Sequence, residues 1–257
     1  SGLGCCIYSI AMGILKTLKR KYFKYKEHFA QHNNFKLIKK NILITGVNSG
    51  IGLCILKRIV NENNVFAFVN NNSDQAEKIK TNNLSIFKCD FSNINNLNSF
   101  EQSIISFKPN IIINCAAMFG DKINIEEFDF ENYYKVLNTN VIAPIVITKY
   151  SLKANSLEQV INISSEMGST NLNKTGNYFY YRSSKNLLNS FSKNLSIELN
   201  NKVNVYCIHP GSVKTKMNSG GVLDPEFAAQ KIINITAEND QALSGSLIDL
   251  NKKILPW

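Results

Sequence analysis

Tyr181-Arg182-Ser183-Ser184-Lys185 sets a phenol and an ammonium four residues apart. On a helix, side chains at that spacing stand side by side on one face. A free phenol titrates near pH ~10, so at neutral pH it is a poor base. An ammonium beside it favours the phenolate and brings its titration toward the working range. Ser165 closes Asn162-Ile163-Ser164-Ser165, sixteen residues before the tyrosine. Its hydroxyl could hold a substrate oxygen while a proton moves. Tyr178 and Tyr180 rival Tyr181 by residue type, but positions 182 and 184 are Arg and Ser, so neither has a lysine four residues on. Tyrosine and lysine on a surface helix are ordinary, and the pair takes its weight from what stands upstream.

That upstream stretch is Asn41-Ile42-Leu43-Ile44-Thr45-Gly46-Val47-Asn48-Ser49-Gly50-Ile51-Gly52. Residues 42–44 form a short β-branched apolar run, which reads as a buried parallel strand. The run breaks into three glycines, and residues 53–60 then follow a helical pattern. Strand, glycine turn and helix N-terminus together make a seat for a dinucleotide pyrophosphate, because the first N–H groups of a helix have no partner inside it. Gly46 permits the tight turn, Gly50 lets the backbone approach phosphate, and Gly52 allows close helix–sheet packing. Asn48, Ser49 and Ile51 lie between them and belong to the same seat. The spacing G-x-x-x-G-x-G differs from the commoner G-x-G-x-x-G fingerprint.

These groups need a framework, and strand and helix patterns alternate along the chain as in a doubly wound parallel sheet. Strands are expected at 42–44, 65–69, 84–89, 111–113, 160–164, 203–208 and 246–250. Helices are expected at 53–60, 74–81, 95–107, 131–154, 181–199 and 225–236. Neither an internal repeat nor a domain-scale linker interrupts the pattern. The 257 residues suffice for one sizeable core. The fold read from this order is a single α/β, Rossmann-type domain over residues 40–257, with a central, mostly seven-stranded parallel sheet flanked by helices.

The combination resembles the short-chain dehydrogenase/reductase family over residues 40–257. Thr45-Gly46-x-x-x-Gly50-x-Gly52 looks like the family's cofactor motif, and Asn114-Cys115-Ala116-Ala117 like its Asn-Asn-Ala-Gly stretch after the fourth strand. Asn138-Thr139-Asn140-Val141-Ile142-Ala143-Pro144 resembles the helix segment that carries a catalytic asparagine, which falls on Asn140 with Asn138 as its competitor. Ser165, Tyr181 and Lys185 match the rest of that tetrad. His209-Pro210-Gly211-Ser212-Val213-x-Thr215 is similar to the loop flanking the nicotinamide. The nearest branch is the C-factor/Sniffer-like carbonyl reductases, whose chains end in Pro-Trp, as Pro256-Trp257 does here. Ala117 in place of glycine, and Ala143 before Pro144, are small-for-small departures.

The resemblance implies hydride transfer between a nicotinamide and a small-molecule carbonyl or alcohol. In that scheme Tyr181 is the general acid/base, Lys185 lowers its pKa and binds the ribose, and Ser165 holds the reacting oxygen. Asn140 holds a water that links Lys185 to solvent. Asn114, Ala116, Pro210, Gly211, Val213 and Thr215 join Tyr181, Lys185 and the glycine turn around the cofactor. The residue closing the second strand, about 20 past the glycines, normally chooses between NAD and NADP. Here it is Asn70, followed by Asn71 and Asn72. No acid excludes a 2′-phosphate and no arginine invites one, so the branch resemblance tilts the expectation to NADP(H), with NAD(H) as the alternative. Asp90 is expected either to contact adenine or to close the third strand as a turn residue. A homo-oligomer, dimer or tetramer, built through the two long helices is also implied.

Composition bounds the rest. The formal charge is +10, yet residues 1–40 hold nine Lys/Arg against Glu27 alone, leaving 20 basic and 18 acidic groups beyond them. The basicity belongs to a leader, so no nucleic-acid partner is expected. Residues 3–15 are mostly apolar and too short to span a bilayer unaided. Lys16, Lys19, Arg20, Lys21, Lys24 and Lys26 follow. This 1–39 leader suits either an interfacial membrane contact through residues 3–26, with Cys5-Cys6 open to acylation, or a helix packed on the body. Cys5, Cys6, Cys54, Cys89, Cys115 and Cys207 show no C-x-x-C and no histidine pairing, so neither zinc nor a disulfide framework is expected. The sequon Asn162-Ile163-Ser164 falls in the expected fifth strand, where a glycan would ruin the fold, and this favours a cytoplasmic chain. Only His209 lies outside the leader, next to Pro210, which disfavours a Ser-His-Asp hydrolase. Substrate contacts are expected from loops 118–128, 166–179 and 212–225, with Met118, Phe119, Met167, Phe179 and Met217 supplying apolar surface. A dinucleotide-binding regulatory or scaffold protein on the same fold is the competing reading, and the complete tetrad stands against it.

Overall fold

The computed structural model describes residues 36–70, 74–200 and 202–257. Residues 1–35 of the leader expected at 1–39, with Cys5 and Cys6, lie outside them, as do Asn71 and Asn72. Residues 36–40 already belong to the body. Leu37 is buried, the Asn63 side chain donates to the Leu37 carbonyl at 2.8 Å, and Lys40 pairs with Glu158 at 2.7 Å.

Seven parallel strands form one sheet: β1 (Asn41–Thr45), β2 (Asn64–Val69), β3 (Leu84–Lys88), β4 (Ile111–Asn114), β5 (Gln159–Ile163), β6 (Asn204–His209) and β7 (Ser246–Asp249). Their order is β3-β2-β1-β4-β5-β6-β7. Strand order therefore reverses between β1 and β4, and a crevice opens beyond their carboxyl ends, the usual ligand position in such sheets.

The helices are α1 (Gly50–Ile59), α2 (Asp74–Glu77), α3 (Glu101–Phe107), α4 (Phe130–Leu137), α5 (Ala143–Lys153), α6 (Phe179–Glu198) and α7 (Pro225–Glu238). Because side chains alternate across a strand, Ile42 and Ile44 point to one face, with Ile55 and Leu56 of α1 and Ile232 of α7 in the same core. Leu43 points to the other, with Ile104 of α3, Ile147 of α5 and Leu195 of α6. Covering both faces explains why the strands read as unbroken apolar runs. Phe68 and the fully buried Phe100 meet edge to face at 4.8 Å and knit β2 to the chain entering α3.

Three expected helices differ. Residues 95–107 form a 3-10 turn (Ile94–Asn98) and then α3, not one helix. The Asn93 side chain accepts from Asn95 N at 3.0 Å and Ser99 Oγ donates to the Asn96 carbonyl, so local side-chain bonds compete with a continuous helix. The segment expected at 74–81 keeps a single turn. Residues 131–154 form a continuous helical rod interrupted by a π turn, Asn138–Ile142, where Ala143 N donates to the Asn138 carbonyl. Pro144 has no N–H to complete the regular ladder there. Such turns often mark functional sites.

Candidate active site

The crevice is a cleft of about 600 Å³ at the carboxyl ends of the central strands. Gly46, Asn48, Ser49, Gly50, Ile51 and Gly52 line its floor. Gly46 has φ +72, and a Cβ there would lie 2.5 Å from Ala116 N. A Cβ on Gly52 would meet the Gly46 carbonyl oxygen at 2.3 Å. The two glycines thus let the turn, α1 and the chain after β4 touch backbone to backbone. Ser49 is the N-cap of α1 but its side chain makes no capping bond, and in the first turn Gly52 N faces the Cys115 thiol. A cradle without room for a methyl group, ending at an uncapped ten-residue helix, fits a diphosphate.

At the far side of the floor, Asn48 Nδ2 hydrogen-bonds Asn70 Oδ1, and Asn70 N donates to Asn48 Oδ1 at 3.3 Å. The end of β2 therefore presents amides to the cleft, not a carboxylate. Asp90 also lines the cleft, but its Oδ1 accepts from Ser92 N at 2.9 Å and Ser92 Oγ at 2.8 Å, the turn-closing arrangement.

The opposite wall brings Ser165, Tyr181 and Lys185 together. Ser165 follows β5, where its Oγ caps a short turn by accepting from Met167 N at 3.1 Å and is hydrogen-bonded to Tyr181. Tyr181 and Lys185 share one face of α6. Lys185 is 2% exposed, and its Nζ donates to the Ile163 carbonyl at 2.8 Å and lies 5.6 Å from the Tyr181 ring centroid. Burial pushes the Tyr181 phenol up to about 12, against the pull of the Ser165 hydrogen bond. Burial also pulls the Lys185 ammonium down to about 8. Desolvation is the largest influence on both groups. At neutral pH the phenol is protonated, the form that can donate.

Burial holds the Cys115 thiol up at about 11 and Cys207 at about 12, so neither thiol near Lys185 is ionised. His209 ends β6 beside the cleft, with Nε2 3.7 Å from Glu166 Oε2. Burial lowers its pKa while Glu166 and Asp249 oppose. Ala116, Pro210, Gly211, Val213 and Thr215 all line the cleft. Loop 212–224 folds on itself there: Lys214 N donates to the Leu223 carbonyl at 2.8 Å, and Gly221 packs on Val213.

Two expected site residues stand behind the walls. Asn140 is 1% exposed; its Oδ1 accepts from Met118 N at 2.7 Å, and its Nδ2 donates to the Met118 carbonyl and to Ser184 Oγ. Its amide clamps the loop after β4 to α6 and has no donor left for a water. Asn138 bonds the Ser92 carbonyl instead. Asn114 turns into the interior, where it donates to Asn162, which donates in turn to Ser192. Among the apolar loop residues, Met118, Phe119, Met167 and Met217 line the cleft and Phe179 does not.

Three residues contribute in ways that sequence reasoning did not assign to them. Thr45 Oγ1 accepts from both Cys115 N and Ala116 N at 3.0 Å, tying β1 to the chain after β4. Thr139 lines the cleft with a buried hydroxyl that has no protein partner. Tyr178 packs on Phe119, which in turn lies over Tyr181. Thr45 stood inside the glycine motif, Thr139 inside the segment 138–144 and Tyr178 at the start of α6, so position in the sequence was a signal for all three.

Comparison with known proteins agrees with this geometry. The fatty acyl-CoA reductase of Acinetobacter baylyi is 27% identical over 241 residues, covering 84% of this chain and 80% of the relative. The carbonyl reductase Sniffer of D. melanogaster superposes with a TM-score of 0.76 at 25% identity, covering 85% of this chain and all of that one. The NADPH-bound carbonyl reductase from chicken fatty liver gives the same TM-score at 24% identity over 86% of this chain and all of that one. The sequence profile of the short chain dehydrogenase family matches residues 40–224, and the chain belongs to that family of oxidoreductases.

Proposed function

We propose that the chain is an NADP(H)-dependent carbonyl reductase, or an alcohol dehydrogenase in reverse, with Tyr181 as its general acid/base. The observation that carries this is the convergence of Ser165, Tyr181 and Lys185 on one wall of a glycine-floored cleft. Gly46, Gly50, Gly52 and the α1 N-terminus would hold the diphosphate, and Pro210, Gly211, Val213 and Thr215 the opposite side. When bound, the nicotinamide supplies or accepts the hydride. Tyr181 gives its phenolic proton to the carbonyl oxygen, and Ser165 donates a hydrogen bond to the same oxygen as charge develops. The Lys185 ammonium favours the phenolate that remains and would reach the ribose hydroxyls. Asn140 acts by holding Met118 and Ser184 in place.

The NADP preference is supported by the amide end of β2, where neither Asn48 nor Asn70 repels a 2′-phosphate, and by the NADPH bound in the chicken enzyme. The outward-facing Phe130, Tyr134 and Leu187 on α4 and α6 support a homo-oligomer, dimer or tetramer, which light scattering would register as a multiple of 28.9 kDa.

The deciding experiment follows oxidation of NADPH and NADH with a panel of small aldehydes, ketones and quinones. Turnover is expected with NADPH, and Tyr181→Phe should reduce it by about 10²–10⁴-fold while the cofactor still binds. Cofactor binding with no turnover by either protein would instead favour a dinucleotide-binding regulator.

A further inference from the structure

The chain entering α6 breaks two local rules at once. Gly176, Asn177 and Tyr178 all lie in the left-handed region, with φ of +63, +57 and +54. Glycine and asparagine visit that region readily, but a bulky aromatic residue there is an outlier. Tyr178 also occupies the N-cap of α6, where Ser, Thr, Asp or Asn would bond the free N–H groups, and it makes no such bond. A residue that suits neither its backbone nor its position is held by its surroundings, and such outliers cluster where function needs them.

Here the holding group is Arg182. Its Nε donates to the Gly176 carbonyl at 3.0 Å and its Nη2 to Thr175 Oγ1 at 3.1 Å, while its backbone N donates to the Tyr178 carbonyl at 3.0 Å. The guanidinium therefore grips the turn from the helix it precedes. The result is that the Tyr178 ring enters the cleft. It meets Phe119 edge to face at 5.2 Å and 67°, and Phe119 lies 4.6 Å from Tyr181. Phe119 is anchored independently, because Gly120 after it packs on the buried Tyr180 ring. Two aromatic rings thus form a corner directly beside the phenol that would protonate a carbonyl. Aromatic partners prefer edge-to-face or offset contacts, and such a corner offers both to a flat ring.

We propose that Tyr178 is the specificity-determining residue of the cleft, selecting carbonyl compounds with an aryl group on the reacting carbon, and that Arg182 is the positioning residue that presents it. The proposal rests on the reductase reading above. Its test compares phenyl methyl ketone with cyclohexyl methyl ketone, which share a carbon skeleton and differ in the flatness of the ring. The readout is the phenyl-to-cyclohexyl ratio of kcat/KM in each variant, with NADPH affinity measured alongside to report folding. Tyr178→Ala should lower the ratio about three- to tenfold, as expected for one lost aromatic contact, and Tyr178→Phe should keep it. Tyr178→Leu serves if the alanine variant loses NADPH binding.

Arg182→Gln should lower the ratio in the same direction, and the double variant Tyr178→Ala/Arg182→Gln should fall no further than Tyr178→Ala alone. A ratio unchanged in the Tyr178 variants overturns the proposal while leaving the reductase intact, and additive losses overturn the positioning role of Arg182. If neither ketone turns over, the reductase reading fails on this pair. Calorimetric affinity for 1-phenylethanol against 1-cyclohexylethanol, with NADPH present, then decides: a preference that Tyr178→Ala leaves unmoved overturns the proposal.

Discussion

Lys185 is a cation buried in the wall of the cleft. Its ammonium titrates near 8 in the folded chain against 10.5 when free. Between those values the unfolded chain binds more protons, so this group makes stability rise with pH there. Below about pH 8 its burial penalty is present in full. Replacing it removes that dependence, so the stability of Lys185→Met relative to the parent should be greatest near pH 7. That difference should shrink by about 2–3 kcal/mol toward pH 10, as urea denaturation at the two pH values would measure. The pairing of Tyr181 with Lys185 was legible in the sequence because helical spacing alone places them together. The sign of the phenol's shift was not, because desolvation depends on Ile163, Cys115 and the rest of the wall, and no spacing encodes those.

For the elements, the informative one is the helical rod from α4 through the π turn to α5. Its apolar period marked one long helix, and Pro144 was the single residue announcing a break in the ladder. That break accompanies the buried Asn140 side chain, whose amide closes both the N–H and the carbonyl of Met118. Asn140→Ala would leave those two part-buried groups without that partner, at up to about 1–3 kcal/mol each. Chemical denaturation should show the loss, and activity should fall with it because Met118 and Phe119 line the cleft. An Asn140 acting only on water would cost activity and leave stability unmoved. The division of residues 95–107 was illegible for a related reason: Asn93 and Ser99 bond the local backbone, and a periodicity of apolar residues does not register such bonds.

Across the whole molecule, the parallel sheet was legible in the sequence because strand and helix patterns alternate, while the order of its strands is a finding of the structure. Charge is distributed as unevenly as composition indicated, with the excess ahead of residue 41. Among the described residues no helix is long and apolar enough to cross a membrane. Among the described residues, those lining the cleft lie at or beyond Gly46, and Lys36 and Leu37 already contact the body. Removing residues 1–35 should therefore leave kcat/KM for NADPH-dependent turnover within about twofold of the full chain, in steady-state assays of both.

The backbone-to-backbone floor of Gly46, Gly52 and Ala116 also sets how this protein can change. At Gly46 and Gly52 the floor has no side chain to vary, and an added carbon at either collides with main-chain atoms at 2.5 Å or less. Phe119, Met167, Tyr178 and Met217 also line the cleft, and they lie outside the strands and present side chains to it. An added side chain at Gly46 or Gly52 therefore disturbs the main chain, whereas an exchange at those four positions alters the shape of the cleft. A lineage carrying this architecture can drift freely among substrates while its dinucleotide stays fixed.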